Sequence, residues 1–453
     1  MAPRSTLNHH APQHGGGVPR VPYFAITVLL LDPYYQGGPI QWGTINDSYI
    51  MLTLQLSAVV GSCQTNRLRK IVQAQGRFRE DSMRKRHAEI AGAGFTGLIA
   101  AAVLCQRGWS VRVHEASAEP RAFGAGIFLW QNGLHVLKAI GVYDSVVPKM
   151  HQAKRFEERD TDGALIASRK YPVPGGGRQW TMTRDDLYWP IMNTAVEAGA
   201  EICTNSKAVG ATPEGELLME DGRRLEGDLI IGADGIRSMV RDSLDLTQEH
   251  TQFPIGVIRL LVPRSEEEAD SEKWNNYINF WQKSPFRRVL YAPCNKHDLY
   301  LMLAADFDDT EALQIPLNKR VWIDTFPHLE GILSRIGEDL RCDQYELLKL
   351  KTWSAGRVAI IGDAAHAMPP TTAQGVGSGM MNALALAVAL DEFADVPTAL
   401  SCWEEKERPM TEHTQEVSRQ RVFNIAPSEN NDRSKWEEGV LRTAHHLPTG
   451  AQT

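Results

Sequence analysis

The sequence lacks the marks of several protein classes. Its 453 residues include only six cysteines (Cys63, Cys105, Cys203, Cys294, Cys342 and Cys402), scattered and without a C-x-x-C pair. That argues against a disulfide framework and a cysteine zinc site, and it predicts reduced thiols in an intracellular, cytoplasmic protein. No apolar run reaches the ~20 residues of a membrane helix, so no membrane span is expected. Basic excess is missing too: the net charge is −7, which speaks against a nucleic-acid partner. No cluster has metal-ligand spacing and no Ser-His-Asp signature is present, so no metal is expected. The chain has no second G-x-G-x-x-G on a strand–helix unit, and hence no separate nicotinamide domain.

What the sequence does contain is centred on residues 88–115. Glu89–Ala91 reads as the end of a buried strand, Leu98–Gln106 as an apolar helix, and Trp109–His114 as a second strand. Gly92, Gly94 and Gly97 lie between with the spacing G-x-G-x-x-G. Gly92 permits a tight turn, Gly94 lets a pyrophosphate approach the backbone, and Gly97 lets the helix pack on the strand. A helix N-terminus presents free N–H groups to phosphate. Glu115 follows Gly97 by eighteen residues, close to where an acid accepts ribose hydroxyls in a dinucleotide fold.

Residues 1–82 do not fit the remainder. His9–Arg20 is rich in Pro, Gly and His, and between Val21 and Asn66 the only charged residues are Asp32 and Asp47. The functional protein is expected to begin near Met83, with the upstream stretch a disordered leader or a mispredicted extension; intact-mass analysis tests this. Beyond Glu115, Arg121–Ile127 reads as a chain reversal, residues 132–147 as one amphipathic helix, and Phe156–Ser168 as a hairpin about Asp162-Gly163. Thr183–Leu187 opens a helix with an acidic first turn. Asp228–Gly235 is a buried strand and a turn with Asp234 at its carboxyl end, where open α/β sheets bind ligands; a helix-capping role for Asp234 competes on local grounds.

Ile255–Val262, Tyr277–Trp281, Arg288–Ala292 and Leu299–Ala304 read as four strands of a separate mixed or antiparallel sheet. Arg259 and Arg288 fall within them. Arginines in strands usually lie on a solvated face, although a pair can clamp a carboxylate. Helices are predicted near 318–325 and 329–339, and a strand over Tyr345–Trp353. Arg357–His366 is a third strand-to-turn unit, with Gly362 and the acid Asp363 at its end. Pro369, Pro370, Gly375 and Gly377 form a rigid loop suited to a flat ligand, followed by a small-residue helix, Ser378–Leu390. Residues 398–421 form a charged helix, and the tail from Ala426 is expected to pack loosely.

Three elements stand in fixed order: GAGFTG with Glu115, Gly-Ala-Asp-Gly at 232–235, and Gly-Asp-Ala-Ala-His at 362–366. Together they resemble the single-component (class A) FAD-dependent aromatic-ring monooxygenases, the p-hydroxybenzoate and salicylate hydroxylase family, over about residues 84–445. The resemblance implies an α/β fold: a Rossmann-like FAD-binding domain (83–253 and 345–395, with inserted strands), interleaved with a mixed β-sheet substrate domain (mainly 254–344), then C-terminal helices (396–453). By this resemblance Glu115 holds the adenosine ribose, Arg184 contacts the flavin nucleotide, and Asp363 serves the ribityl or pyrophosphate region. Ala125 lies in the reversal beside the nucleotide, Pro370–Gly377 with Gly375 and Val376 faces the isoalloxazine, and Asp234 serves both FAD and the nicotinamide donor.

The stretches RAFGAGIFLWQNGL, VIRLLVPR, RVLYAPCN with DLYL, and QYELLKL more narrowly resemble the methyl-hydroxypyridine-carboxylate oxygenases, flavoenzymes that oxygenate and open a pyridine ring. That match places substrate-contacting arginines at Arg259 and Arg288, pocket tyrosines at Tyr300 and Tyr345, and Phe156 where those enzymes have a tyrosine. Pro369 replaces a cysteine or small residue. The implied activity uses FAD, O2 and NADH or NADPH to oxygenate a hydroxylated pyridine carboxylate through a flavin C4a-hydroperoxide, by hydroxylation or ring opening. No side chain is assigned as an obligatory acid or base. A hydroxybenzoate-type hydroxylase or a flavin reductase is the alternative, and the chain is expected to be a monomer or homodimer.

Overall fold

Short runs of apolar and β-branched residues after residue 85 form strands wherever glycine or turn residues bound them. The computed structural model describes residues 85–120, 126–173, 175–423 and 433–451, with the side chains of 433–437 excepted. The leader over 1–82, the Arg121–Ala125 reversal with Ala125, and the beginning of the tail lie outside the described residues. In chain order the strands are β1 (His87–Ala91), β2 (Ser110–His114), β3 (Gly126–Trp130), β4 (Arg155–Arg159), β5 (Leu165–Lys170), β6 (Gln179–Thr183), β7 (Glu201–Cys203), β8 (Ala208–Thr212) and β9 (Glu216–Met219). They continue with β10 (Arg224–Glu226), β11 (Leu229–Gly232), β12 (Thr247–Pro263), β13 (Tyr277–Lys283), β14 (Phe286–Pro293), β15 (Asp298–Asp306), β16 (Cys342–Leu350), β17 (Ser354–Ala355) and β18 (Val358–Ile360).

Two sheets dominate. The first is six-stranded in the order β17-β18-β11-β1-β2-β7. It is parallel from β18 to β7, with β17 antiparallel at the edge. Its strands β11 (LIIG) and β18 (VAI) are apolar throughout because helices cover them, whereas β1 and β2 bury the hydrogen-bonded side chains of Glu89 and His114. Helix α1 (Phe95–Gln106) is Ala-rich and buried almost all round. The second sheet has seven strands in the order β16-β12-β15-β14-β13-β4-β5, drawing on β4, β5 and most of β16 as well as on residues 254–344. One face packs Ile258, Phe280, Val289 and Leu303 against Trp322, Phe326 and Leu333. The other face carries Arg259, Asn279, Arg288 and Tyr300, because strand side chains alternate.

Two helices depart from expectation. Residues 132–147 do not form one helix: α2 (Gln131–Ala139) stops, and a short helix at Tyr143–Val146 follows. Gly141 takes φ +86°, Gly141 N donates to Lys138 O at 3.2 Å, and Val142 N donates to Leu137 O at 2.9 Å. That is the Schellman termination, which glycine adopts without steric cost. Residues 329–339 keep helical form only over Glu330–Leu333, after a 3-10 turn at Pro327–Leu329. Helix α3 (Arg184–Glu197) begins as expected, with Thr183 Oγ1 accepting from Asp186 N at 3.1 Å. Helices α4 (Gly375–Glu392) and α5 (Val396–Phe423) complete the core.

The expectation of a loose tail is overturned. Residues Arg433–Ala444 form helix α6, whose Val440 and Ala444 are buried beside Trp130. Gln374 Nε2 donates to Val440 O at 2.8 Å, and Asn132 Nδ2 to Thr443 O at 3.1 Å. The polar composition hid a narrow apolar stripe, and those partners lie more than sixty residues away in sequence.

Candidate functional site: a nucleotide wall facing an arginine-bearing sheet

The glycine loop has the geometry its spacing predicts. Gly92 sits at φ +99°, and a Cβ there would lie 2.5 Å from Ala233 O; a Cβ on Gly97 would lie 2.1 Å from Gly92 O. Both positions therefore need glycine for backbone-to-backbone approach. Gly94 differs, since a Cβ there would meet no protein atom within 4 Å, and the residue lines a cavity. No side chain caps the N-terminus of α1, which leaves its N–H groups for a ligand. Glu115 closes the loop from β2: its carboxylate accepts from Ala93 N at 3.1 Å and from Ser117 N at 2.9 Å. Glu115 lies at the loop rather than on the cavity wall.

The cavity, of about 320 Å³, runs from this loop to the seven-stranded sheet. Gly362, Asp363, Pro370, Gly375 and Val376 form its second edge. Gly362 stands at φ +65°, where a Cβ would lie 2.8 Å from Thr96 Oγ1. The loop from Pro370 is pinned from behind. Trp130 Nε1 donates to Thr372 O at 3.1 Å, Thr371 Oγ1 donates to Ser418 O at 2.8 Å, and Thr372 Oγ1 bonds Ser418 Oγ at 2.7 Å. Helix α4 starts from this loop without a side-chain cap.

Arg184 and Asp363 face each other across the deep end. Arg184 Nε is buried without a hydrogen-bond partner, and the guanidinium lies 4.9 Å over the Phe95 ring. Burial first, then the neighbouring Arg259, pushes its pKa down to about 10 against the pull of Asp363. Asp363 reaches open cavity, yet deep in the molecule. Its carboxyl is raised by desolvation, with Arg184 and Arg259 opposing. A buried cationic donor without a partner fits a flavin nucleotide. Asp234 takes the capping role that competed for it: Oδ2 accepts from Met239 N at 2.9 Å and Val240 N at 3.3 Å, while Oδ1 is buried without a partner. Its neighbours Ala233 and Gly235, not Asp234 itself, line the cavity.

The opposite wall is the inner face of the seven-stranded sheet. Phe156, Arg259, Arg288 and Tyr300 line it, as do Asn279, Trp281, Leu290 and Met302. The alternation of β12 to β15 puts them on one face, so both arginines point into the cavity rather than to solvent. Arg259 Nη2 donates to Asp343 Oδ2 at 2.9 Å. Arg288 Nε donates to Asn279 Oδ1 at 2.8 Å. Burial pushes Tyr300 up to about 12, with Arg259 and Arg288 pulling back, so the phenol stays a hydrogen-bond donor. Gly126 makes room for it, because a Cβ at 126 would lie 2.4 Å from Tyr300 Cβ. Tyr345 stands apart: it is fully buried, its hydroxyl lies 3.9 Å from Met302 Sδ, and it does not line the cavity. Asn279 and Trp281 were missed by sequence reasoning; a polar Asn at an alternate position of an apolar strand was the available signal.

His366, just behind Asp363, is buried, and Asn382 Nδ2 lies 3.0 Å from its Nε2. Desolvation pushes its pKa down to about 4, so the ring is neutral. Among the described residues no group of His, Cys, Asp and Glu is placed to hold a metal ion. No helix among them is long and apolar enough to cross a membrane.

Residues 86–416 match the FAD binding domain family. The chain belongs to this family. The sequence is 41% identical over 329 residues to a putative 2-heptyl-3-hydroxy-4(1H)-quinolone synthase of Rhodococcus erythropolis, covering 73% of this chain and 86% of that protein. It is 38% identical to the 2-heptyl-3-hydroxy-4(1H)-quinolone synthase of Mycobacteroides abscessus, over 75% of this chain and 91% of that one. Among solved structures it is similar to the tetrameric form of 2-methyl-3-hydroxypyridine-5-carboxylic acid oxygenase, with 40% identity and a TM-score of 0.76, covering 82% of this chain and 98% of that chain. The flavoprotein is thus an FAD-dependent aromatic-ring monooxygenase of class A, with the mixed α/β fold of that group and with reduced nicotinamide as the group's usual co-substrate.

Proposed function

We propose that this flavoprotein oxygenates an N-heteroaromatic ring that carries an acidic oxygen group, either a ring carboxylate or a ring hydroxyl or oxo group. The supporting observation is the donor wall: Arg259, Arg288 and Tyr300 face the flavin loop across the cavity, and Asp363 is the one carboxylate among the described residues lining it. Such a wall favours an anionic acceptor atom.

In this reading Gly92, Gly94, Gly97 and the N-terminus of α1 hold the pyrophosphate, and Glu115 the ribose. Ala125 and Asp234 take the nucleotide-side roles that the family motif gives them. Arg184 and Asp363 hold the middle of the cofactor. Gly362, Pro370, Gly375 and Val376 lie against the isoalloxazine. When bound and reduced by NADH or NADPH, FAD activates O2 to deliver an electrophilic oxygen atom. Arg288 and Arg259 hold the substrate's anionic oxygen, and Tyr300 donates to it, which keeps electron density in the ring. Phe156, Trp281, Leu290 and Met302 enclose the ring and exclude water. Tyr345 supports this wall from behind through Met302. The FAD-binding part then comprises 83–253 and 345–395, with the substrate sheet centred on 254–344.

The pyridine-carboxylate reading rests on the likeness to 2-methyl-3-hydroxypyridine-5-carboxylic acid oxygenase. A quinolone substrate is the second reading: the two relatives described above are quinolone synthases by name, and Phe156 offers no hydroxyl to a polar substituent. Protein starting at Met83 and loaded with FAD is assayed for NADH and NADPH oxidation in air with three ligands: 2-methyl-3-hydroxypyridine-5-carboxylate, 6-hydroxynicotinate and a 2-alkyl-4-quinolone. Accelerated oxidation with a product one oxygen atom heavier is expected for one ring type. Oxidation without an oxygenated product on any of them overturns the reading in favour of a reductase.

A further inference from the structure

The wall behind Arg288 holds a buried acid that the reaction does not call for. Glu158 on β4 pairs in register with Asn279 on β13, and Trp281 on β13 pairs with Arg288 on β14. All four side chains are on the cavity side of the sheet and buried. Glu158 Oε2 accepts from Asn279 Nδ2 at 3.1 Å and from Trp281 Nε1 at 2.5 Å. Asn279 Oδ1 accepts from Arg288 Nε at 2.8 Å, and the Arg288 guanidinium lies 4.9 Å over the Trp281 ring. Asn279, Trp281 and Arg288 line the cavity; Glu158 does not.

We propose that Glu158 is a positioning residue: acting through Asn279 and Trp281, it fixes the Arg288 guanidinium so that its terminal N–H groups present a rigid anchor for an anionic oxygen of the ring substrate. The proposal rests on the reading of the cavity as a substrate site. A carboxylate only accepts hydrogen bonds and a guanidinium only donates them. Asn279 between them has one workable orientation, amide nitrogen toward Glu158 and amide oxygen toward Arg288. Flipping the amide would set acceptor against acceptor and donor against donor in a buried setting, where unpaired polar groups are costly. The same carboxylate oxygen holds the indole N–H, and the indole face lies under the guanidinium. Arg288 is thus fixed through Nε and through its plane, which leaves Nη1 and Nη2 for the cavity.

Pre-organised donors strengthen binding because less freedom is lost on association. Glu158→Met keeps the length of the side chain and removes the one acceptor, Oε2, that serves both Asn279 Nδ2 and Trp281 Nε1. Glu158→Gln is the conservative control, because its amide oxygen can stand where Oε2 stands and accept from both donors.

The test is equilibrium binding to the full, flavin-loaded chain, read from the flavin absorbance change, using 6-hydroxynicotinate and 2-heptyl-3-hydroxy-4(1H)-quinolone as probes. Glu158→Met is expected to weaken the probe that binds the wild type by about tenfold or more, with FAD affinity unchanged and KM rising more than kcat falls. Glu158→Gln is expected to stay within about threefold of wild type. Wild-type affinity in Glu158→Met, or Glu158→Gln as weak as Glu158→Met, overturns the inference and leaves the proposed function standing. A wild type that binds neither probe overturns both. Should Glu158→Met fail to retain flavin, Asn279→Leu carries the test: it keeps the size of the side chain and removes both the bond to Glu158 and the acceptor for Arg288 Nε, with about tenfold weaker binding expected, and unchanged affinity overturns the proposal.

Discussion

The two walls of the cavity are built from different materials. The wall proposed to hold the nucleotide is mostly backbone: Gly92, Gly97 and Gly362 let main chain and helix ends come close, and uncapped helix starts supply the polar groups. The wall proposed to hold the substrate is side chain: Arg259, Asn279, Trp281, Arg288 and Tyr300 project from alternate positions of four neighbouring strands. At Gly92, Gly97 and Gly362 the first wall tolerates no added atom. The second can change its side chains without changing the sheet, and so sets what the cavity accepts. Fold and cofactor can stay constant across relatives while substrates differ.

The comparison is broken most sharply at Gly94. An added methyl there meets no protein atom, so Gly94→Ala should fold normally. It should lose FAD affinity by about a hundredfold or more, because the methyl would enter the space proposed for the pyrophosphate. Flavin retention after gel filtration, beside an unchanged Tm, checks it; a yellow Gly94→Ala protein with normal affinity sinks the assignment of this loop. Next comes Arg288→Met on the other wall. It keeps the stem and removes the charge, and kcat/KM should fall by the equivalent of about 2 to 4 kcal/mol with FAD still bound.

A third test addresses the side chain buried behind the nucleotide wall. His366 has a folded-state pKa of about 4, below the ordinary value near 6.5. The folded protein therefore binds fewer protons than the unfolded chain between those pH values. The stability from the neutral ring is full above about pH 6.5 and is lost as pH falls toward 4, on the order of 3 kcal/mol in all. Denaturation at pH 7 and pH 5 should show a smaller pH penalty for His366→Gln than for wild type; equal slopes would count against a buried neutral imidazole. The smallest effect is expected for Arg259→Met. Arg259 already donates to Asp343, and its loss should cost about 1 to 2 kcal/mol in kcat/KM. If Arg259→Met is worse than Arg288→Met, the order of the two anchors is reversed.

Much of the nucleotide wall was legible in advance because it is local. Three glycines, one helix and one strand within thirty residues specify the loop, and backbone sterics leave few other residues that fit at Gly92 and Gly97. The strands at 255–304 were legible from their apolar runs. The face to which Arg259 and Arg288 point was legible only through the family resemblance, since alternation alone does not say which side lines the cavity. The break at Gly141 was visible only as a glycine in an otherwise helical pattern. Helix α6 was hidden because its partners, Asn132 and Gln374, are distant in sequence.

The sequence by itself determined the dinucleotide loop, the order of the three family motifs and the positions of the strands, because these depend on local sterics and on hydrophobic period. Only the tertiary structure decided that Tyr345 stands behind Met302, and that Glu158, Asn279, Trp281 and Arg288 join in one buried network. Those contacts rest on register between strands far apart in the chain, and register is fixed by the packing of the whole sheet.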